Sequence, residues 1–150
     1  MMHVKIISVG TVKKNSPFYA LFETYQKRMH WQIDAVEIDS RKFPTPDAQQ
    51  EKILDLIPPD YQVFALDERG KTYSSTDFSN IIQDLMHDNQ TSVCFIIGGA
   101  DGLTSEIRKK ANFLISFGKQ TWPHQLVRVM LIEQIYRTQQ ILAGHPYHRE

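Results

Sequence analysis

Short apolar runs alternate along this chain with stretches whose apolar residues recur at helical spacing. Val4 to Val9 and Val63 to Leu66 are apolar and bounded by turn signals, and Val93 to Ile97 is continuously apolar, as a parallel strand covered on both faces should be. Gln32 to Ile38 carries Asp34 and Glu37 and suits a sheet edge, and Phe113 to Phe117 makes a fifth short strand. Between these runs lie helices with start signals. Ser16 can cap a helix with Pro17 at its first position, followed by Phe18, Leu21, Phe22, Tyr25 and Met29 on one face. Thr45 and Pro46 repeat that signal, and Pro58-Pro59 stops the helix after Ile53, Leu54 and Ile57. Ser74 or Ser75 caps a third helix, with Phe78, Ile81, Ile82, Leu85 and Met86 along one face. Thr104 can cap a short fourth helix whose Glu106 and Arg108, Lys109 and Lys110 match the macrodipole. The last runs from about Pro123 to Leu142 and is ended by Gly144 and Pro146. The alternation predicts a single α/β domain over 1–150, with helices on both faces of a parallel sheet.

The last helix is more apolar than a surface helix should be. Leu126, Val127, Val129, Met130, Leu131, Ile132, Ile135 and Tyr136 leave Arg128, Glu133, Gln134 and Arg137 as its polar interruptions. Such a helix must be covered on two sides. The second cover is expected to be another copy of the chain, giving a two-fold dimer, with the chain's own loops as the alternative.

Composition narrows the class. With 150 residues, 41% of them hydrophobic and 11% aromatic, the chain can fill one real core. No run approaches the ~20 apolar residues of a membrane span, and no signal-peptide pattern opens the sequence. The single cysteine, Cys94, lies in an apolar run and reads as a buried hydrophobe. Neither an internal disulfide nor a cysteine metal site is expected, nor do the six histidines form a metal-ligand pattern. A cytoplasmic protein without metal or membrane association is the expectation. Net charge is zero, yet residues 1–30 hold five Lys/Arg against one acid, 31–90 five against twelve, and 91–150 seven against four. That segregation is either ordinary surface variation or, if the fold joins the two ends, a cationic face for a polyanion.

In a parallel α/β sheet, ligands bind outside the carboxyl ends of the strands. Leu66-Asp67-Glu68-Arg69-Gly70, Gly98-Gly99-Ala100-Asp101-Gly102 and Phe117 to Trp122 all follow predicted strands and should converge there. Neither G-x-G-x-x-G after the first strand nor G-x-x-x-x-G-K-[ST] is present, so a nucleoside without phosphates suits these loops better than a dinucleotide or ATP. Taken alone, the three glycines could equally be a tight turn.

In order and spacing, Val9-Gly10, Leu66-Asp67-Glu68-Arg69-Gly70-Lys71, Ile97-Gly98-Gly99-Ala100-Asp101-Gly102-Leu103, Thr121-Trp122-Pro123-His124-Gln125, Arg128-Val129, Glu133-Gln134-Ile135-Tyr136-Arg137 and Pro146-Tyr147-His148-Arg149 form a distinctive set. The set resembles the bacterial ribosomal RNA large-subunit methyltransferase H family, small members of the SPOUT class. The resemblance spans the whole chain. It implies a SPOUT-type fold with a C-terminal trefoil knot, a homodimer, S-adenosylmethionine as cofactor, and methylation of ring nitrogen 3 of a pseudouridine in 23S rRNA of the assembled ribosome. Carried over by position, the cofactor contacts fall on Leu66, Gly98, Phe117, Gly118, Lys119, Gln120, Thr121 and Trp122. A serine is usual where Gly118 stands, and a loop that binds through backbone should tolerate the change.

The chemistry agrees with that implication. Methyl transfer from a sulfonium asks mainly for alignment, which a rigid backbone pocket provides. The acceptor imide N–H is a poor nucleophile until its proton leaves. His148 is the candidate base or orienting group, Arg149 the cation for the developing imidate, and Tyr147 a stacking platform for the base. Arg137 and Arg149 are candidate RNA contacts, and His124 a structural residue of its loop. The rival readings are a nucleotide-sensing or RNA-binding module that has kept the pocket but not transfer, and a tRNA methyltransferase of the same class.

Overall fold

In the computed structural model, which describes residues 1–149, five strands form one parallel sheet. Glu150, the last residue of the expected domain, lies outside the described residues. The strands are β1 (His3–Val9), β2 (Gln32–Ile38), β3 (Gln62–Thr72), β4 (Ser92–Ile97) and β5 (Phe113–Ser116), in the order β2-β1-β4-β3-β5. The strand bearing Asp34 and Glu37 is at an edge, paired only with β1, and both acids are exposed there.

The helices alternate with the strands as α1 (Pro17–Arg28), α2 (Pro46–Leu56), α3 (Ser75–His87), α4 (Ser105–Lys110) and α5 (His124–Leu142). Four begin on hydroxyl caps that satisfy otherwise unpaired amides. Ser16, Thr45, Ser74 and Thr104 accept from Phe18, Ala48, Asp77 and Ile107 respectively, which places the third start on Ser74. The fifth has no side-chain cap.

Successive strand residues point to opposite faces, so the central strands feed two cores. On one face Val4, Ile6, Phe64, Phe95 and Ile97 meet α1, α3 and α5 through Phe22, Phe78, Ile82, Ile132 and Ile135. Phe64 stacks on Phe95 and Phe113 at 4.9 and 4.5 Å between ring centres. On the other face Ile7, Val9, Ala65, Cys94 and Ile96 meet Ile53 of α2 and Ile107 of α4. Cys94 is buried there, and burial pushes its thiol up to about 12.

Two features depart from the expected arrangement. First, β3 does not stop at Leu66. Both Leu66 and Lys71 pair with Ile115, so residues 67–70 leave the ladder and return to the same point on β5. Gly70 makes that return possible: a Cβ there would lie 2.6 Å from the Ile115 carbonyl carbon. Second, α5 is wedged between α1 and α3. Val129, Leu131, Ile132 and Ile135 are buried within the chain itself, so much of the cover expected from a second copy is internal. Gln139 of α5 is also buried, and its side-chain oxygen accepts from the amides of His30 and Trp31, tying the helix to the start of β2.

Candidate active site

The three strand-end loops converge as their positions demanded. Leu66 to Arg69, Ile97 to Ser105 and Ile115 to Trp122, except Lys119, line one cleft of about 740 Å³ at the carboxyl edge of β3, β4 and β5. His124 and Val127 close it from the first turn of α5. A volume of this size lies in the range of ordinary small-molecule sites. Of the positions singled out in the sequence, Leu66, Gly98, Phe117, Gly118, Gln120, Thr121 and Trp122 face the cleft, whereas Lys119 is exposed and does not line it.

Local hydrogen bonding holds these loops in shape. The Ser116 hydroxyl accepts from the Gly118 amide at 3.1 Å and donates to the Gly118 carbonyl at 2.8 Å, bracketing a residue whose φ is +118°. Only glycine adopts that conformation without strain, and open space surrounds the position of its missing Cβ. The glycine therefore serves backbone geometry, not close packing. The Trp122 indole N–H donates to the Phe117 carbonyl at 3.3 Å and closes the loop, leaving the ring 38% exposed at the rim. In the neighbouring loop the Gly102 amide donates to Gly99, giving the tight turn that the glycine run allowed. The functional and the turn readings of this run are therefore compatible.

Arg108 was visible in the sequence as a helix-end cation, and its larger role was not. Its guanidinium donates to the Leu103 carbonyl and lies 3.7 Å from Asp67, whose side chain is 5% exposed. One arginine thus joins the glycine loop to the β3 excursion, a link between residues distant in sequence. Arg69 approaches the same carboxylate at 3.5 Å.

The terminal stretch lies elsewhere. None of Tyr147, His148 and Arg149 lines the cleft of their own chain. Tyr147 donates its hydroxyl hydrogen to Glu133 at 3.0 Å, and its ring meets Tyr136 edge-on at 4.9 Å. Burial, with hydrogen bonds to Tyr25 and Glu133, pushes its phenol above the ordinary tyrosine range, so it remains a protonated donor. Arg137 donates to Glu133 at 2.6 and 3.0 Å, and the bond raises its already high pKa. It also covers the Tyr147 ring at 4.9 Å and points a third nitrogen at His148 Nδ1, 3.0 Å away. In this arrangement Arg137 anchors the tail, with its charge balanced by Glu133, while Arg149 is exposed. A guanidinium can only donate, so His148 Nδ1 accepts and the neutral ring carries its hydrogen on Nε2. That nitrogen is buried without a partner among the described residues.

Comparison with known proteins identifies the family. The family described as "Predicted SPOUT methyltransferase" matches residues 2–148. The chain belongs to the SPOUT methyltransferase family. This SPOUT methyltransferase is 41% identical over 152 residues to the ribosomal RNA large subunit methyltransferase H of Rhodospirillum centenum (strain ATCC 51521 / SW), covering 99% of each chain. It is 40% identical over 149 residues to the protein of that name from Zymomonas mobilis subsp. mobilis (strain ATCC 31821 / ZM4 / CP4), again over 99% of each. Its fold also resembles a probable methylase family protein from Haemophilus influenzae Rd KW20, with TM-score 0.58, 11% identity, and coverage of 99% of this chain and 71% of that one. Among the described residues of the SPOUT methyltransferase no group of three or more His, Cys, Asp or Glu could hold a metal ion, and no helix is long and apolar enough to cross a membrane.

Proposed function

We propose that this enzyme transfers a methyl group from S-adenosylmethionine to ring nitrogen 3 of a pseudouridine in 23S rRNA of the assembled ribosome, acting in the cytoplasm as a homodimer with a C-terminal trefoil knot. The observation that carries the proposal is the convergence of the 66–69, 97–105 and 115–122 loops on one cleft. Relatives that match along their full length bear the name ribosomal RNA large subunit methyltransferase H, which supports the RNA substrate. The return of residues 67–70 onto β5, tight enough to require Gly70, is consistent with a threaded C-terminal segment.

The residues present fit the cofactor. Leu66, Ile97, Ile115 and Val127 supply apolar walls, the 98–102 and 117–121 loops offer backbone, and Glu68 and Asp101 bring negative charge suited to a cationic ligand. When bound, S-adenosylmethionine supplies an electrophilic methyl group on a sulfonium. Leu66, Gly98, Phe117, Gly118, Gln120, Thr121 and Trp122 would hold it, and their rigid placement supplies the alignment that such a transfer needs.

Acceptor chemistry falls to the tail. Arg149 stabilises the imidate that forms as the N3 proton passes to solvent water, Tyr147 stacks on the base with the ring face that Arg137 leaves free, and His148 orients the base through Nε2–H once the tail shifts to uncover it. The tail is anchored to Glu133 and Arg137, ~14 to 20 Å along α5 from His124 at the cleft, at 1.5 Å per residue. A tail held at that distance serves the cleft of a second copy more readily than its own. A groove of about 520 Å³ lined by Leu21, Tyr25, Met130 and Glu133 offers the apolar surface for such a copy, and Leu21 is 45% exposed.

Methyl incorporation from labelled cofactor into ribosomes, free 23S rRNA and tRNA tests the proposal. Label should enter ribosomes, at the pseudouridine imide, with no need of added metal. Label in tRNA alone, or binding of cofactor with no transfer to any RNA, would replace this reading by one of its rivals.

A further inference from the structure

The β1–α1 connection, residues 10–16, runs along the same edge of the sheet as the cleft. It carries Lys13 and Lys14, both exposed, and residues 10–22 contain no acid. Neither lysine has an ion-pair partner among the described residues. The connection is nevertheless fixed at both ends. The Gly10 amide donates to the Ile38 carbonyl at 2.8 Å, and the Gly10 backbone packs beside the imidazole of His124, which lines the cleft. The Val12 amide donates to Glu37 Oε2 at 2.8 Å, and Arg128 of α5 donates to the same oxygen at 2.6 Å. Arg128 also lies over the Phe22 ring at 5.6 Å, so the clasp joins β2, the connection, α1 and α5. At the far end the Ser16 amide donates to the Lys13 carbonyl at 2.9 Å.

This construction has an electrostatic consequence. Glu37 is the acid nearest the connection in the hydrogen-bond network, and Arg128 with the Val12 amide already engages it. Its charge is therefore spent inside the clasp and does not neutralise the two lysines, which stand in water on the same carboxyl edge of the sheet as the cleft, toward its β2 side. Two uncompensated, strongly hydrated point charges on the sheet edge that carries the cleft suit the phosphate oxygens of a strand running along that edge, which they hold without reading a base.

We propose that Lys13 and Lys14 contact phosphates of the RNA strand that brings its base into the cleft, and that the Glu37–Arg128 clasp positions them for it. This rests on the RNA substrate proposed above and adds the surface that holds it. The lysines are exposed, so changing them should leave the fold intact, which thermal unfolding checks.

The experiment compares the wild type, Lys13→Gln, Lys14→Gln and the double charge reversal Lys13→Glu/Lys14→Glu. It measures cofactor affinity by Trp122 fluorescence, ribosome binding by anisotropy of labelled protein, and methyl transfer, each across a salt series. Cofactor affinity should stay at the wild-type value. Each Gln variant should lower the slope of log affinity for ribosomes against log salt by about one, and the double reversal should weaken binding and raise KM by roughly tenfold or more. Unchanged ribosome affinity and salt slope in the double reversal would overturn the proposal. So would a carbodiimide cross-link from Lys13 or Lys14 to a carboxylate of a ribosomal protein, which would make the partner protein and not phosphate. If the wild type transfers no methyl group to ribosomes, the substrate reading fails by itself, and the binding series still decides the role of the lysines.

Discussion

His148 shows how one neighbour sets what a side chain can do. Because Arg137 donates to Nδ1, the neutral ring presents Nε2–H, a donor, where a base would need a lone pair. As anchored, then, His148 carries a buried, unpartnered Nε2–H, which an acceptor from outside the chain can reach only once the tail shifts to uncover it. A donor lost from a buried contact costs roughly 1–3 kcal/mol, so His148→Ala should slow single-turnover transfer on saturating ribosomes by roughly tenfold to a hundredfold. His148→Gln, which can donate from a similar reach, should recover most of that loss, with the shape of the pH–rate profile kept. If both variants lose a hundredfold or more and the profile loses a limb, His148 is the base and must leave Arg137 to act.

At the scale of elements, α5 separates two roles that its sequence merges. Its apolar circumference suggested one interface with a second copy, yet Ile132 and Val129 are buried against the chain's own sheet and helices. Ile132→Asp should therefore abolish folding, because an unpaired charge in that core has no partner. Met130, on the groove with Leu21 and Tyr25, is the proper probe of association. Met130→Asp should give a folded chain, with cooperative thermal unfolding, that sediments as a monomer; a monomeric wild type at micromolar concentration would remove the dimer. Periodicity made the strands, the capped helices and the edge position of β2 legible, because each depends on neighbours within a turn or a pleat. It could not reveal the 67–70 excursion, whose two flanks pair with one residue, Ile115, of a strand far along the chain. The cleft was legible for a related reason: a parallel sheet sends every strand-end loop to one edge, so loop positions alone brought Leu66, Gly98 and Phe117 together. The bridge from Arg108 to Asp67 and Leu103 was not, since nothing local distinguishes it from a cation at a helix end.

For the whole molecule, the proposed function requires that a cleft and a tail at different places on one subunit make one active site. The resemblance named both sets of residues but not which chain supplies each. In the proposed dimer, a tail held to its own chain through Tyr147 and Arg137 on Glu133 would complete the other subunit's cleft across a two-fold axis. Mixing two inactive proteins distinguishes the arrangements. One lacks residues 146–150 and keeps a sound cleft; the other keeps its tail and carries Gly98→Trp, whose Cβ would lie 2.9 Å from the Gly102 carbonyl carbon and so distorts the cleft's glycine loop, with thermal unfolding checking that the chain still folds. After dissociation and random reassociation, half of the dimers are mixed and each holds one sound cleft facing one sound tail, so about a quarter of wild-type activity should return if the tail acts across the axis. Separate assays should find the truncated protein binding cofactor without transfer and the Gly98→Trp protein binding none. If the tail acts on its own chain, no mixed dimer contains a complete site and activity stays at background. Size-exclusion chromatography of a tagged mixture establishes that exchange took place, so a silent mixture with mixed dimers present would confine the tail to its own subunit.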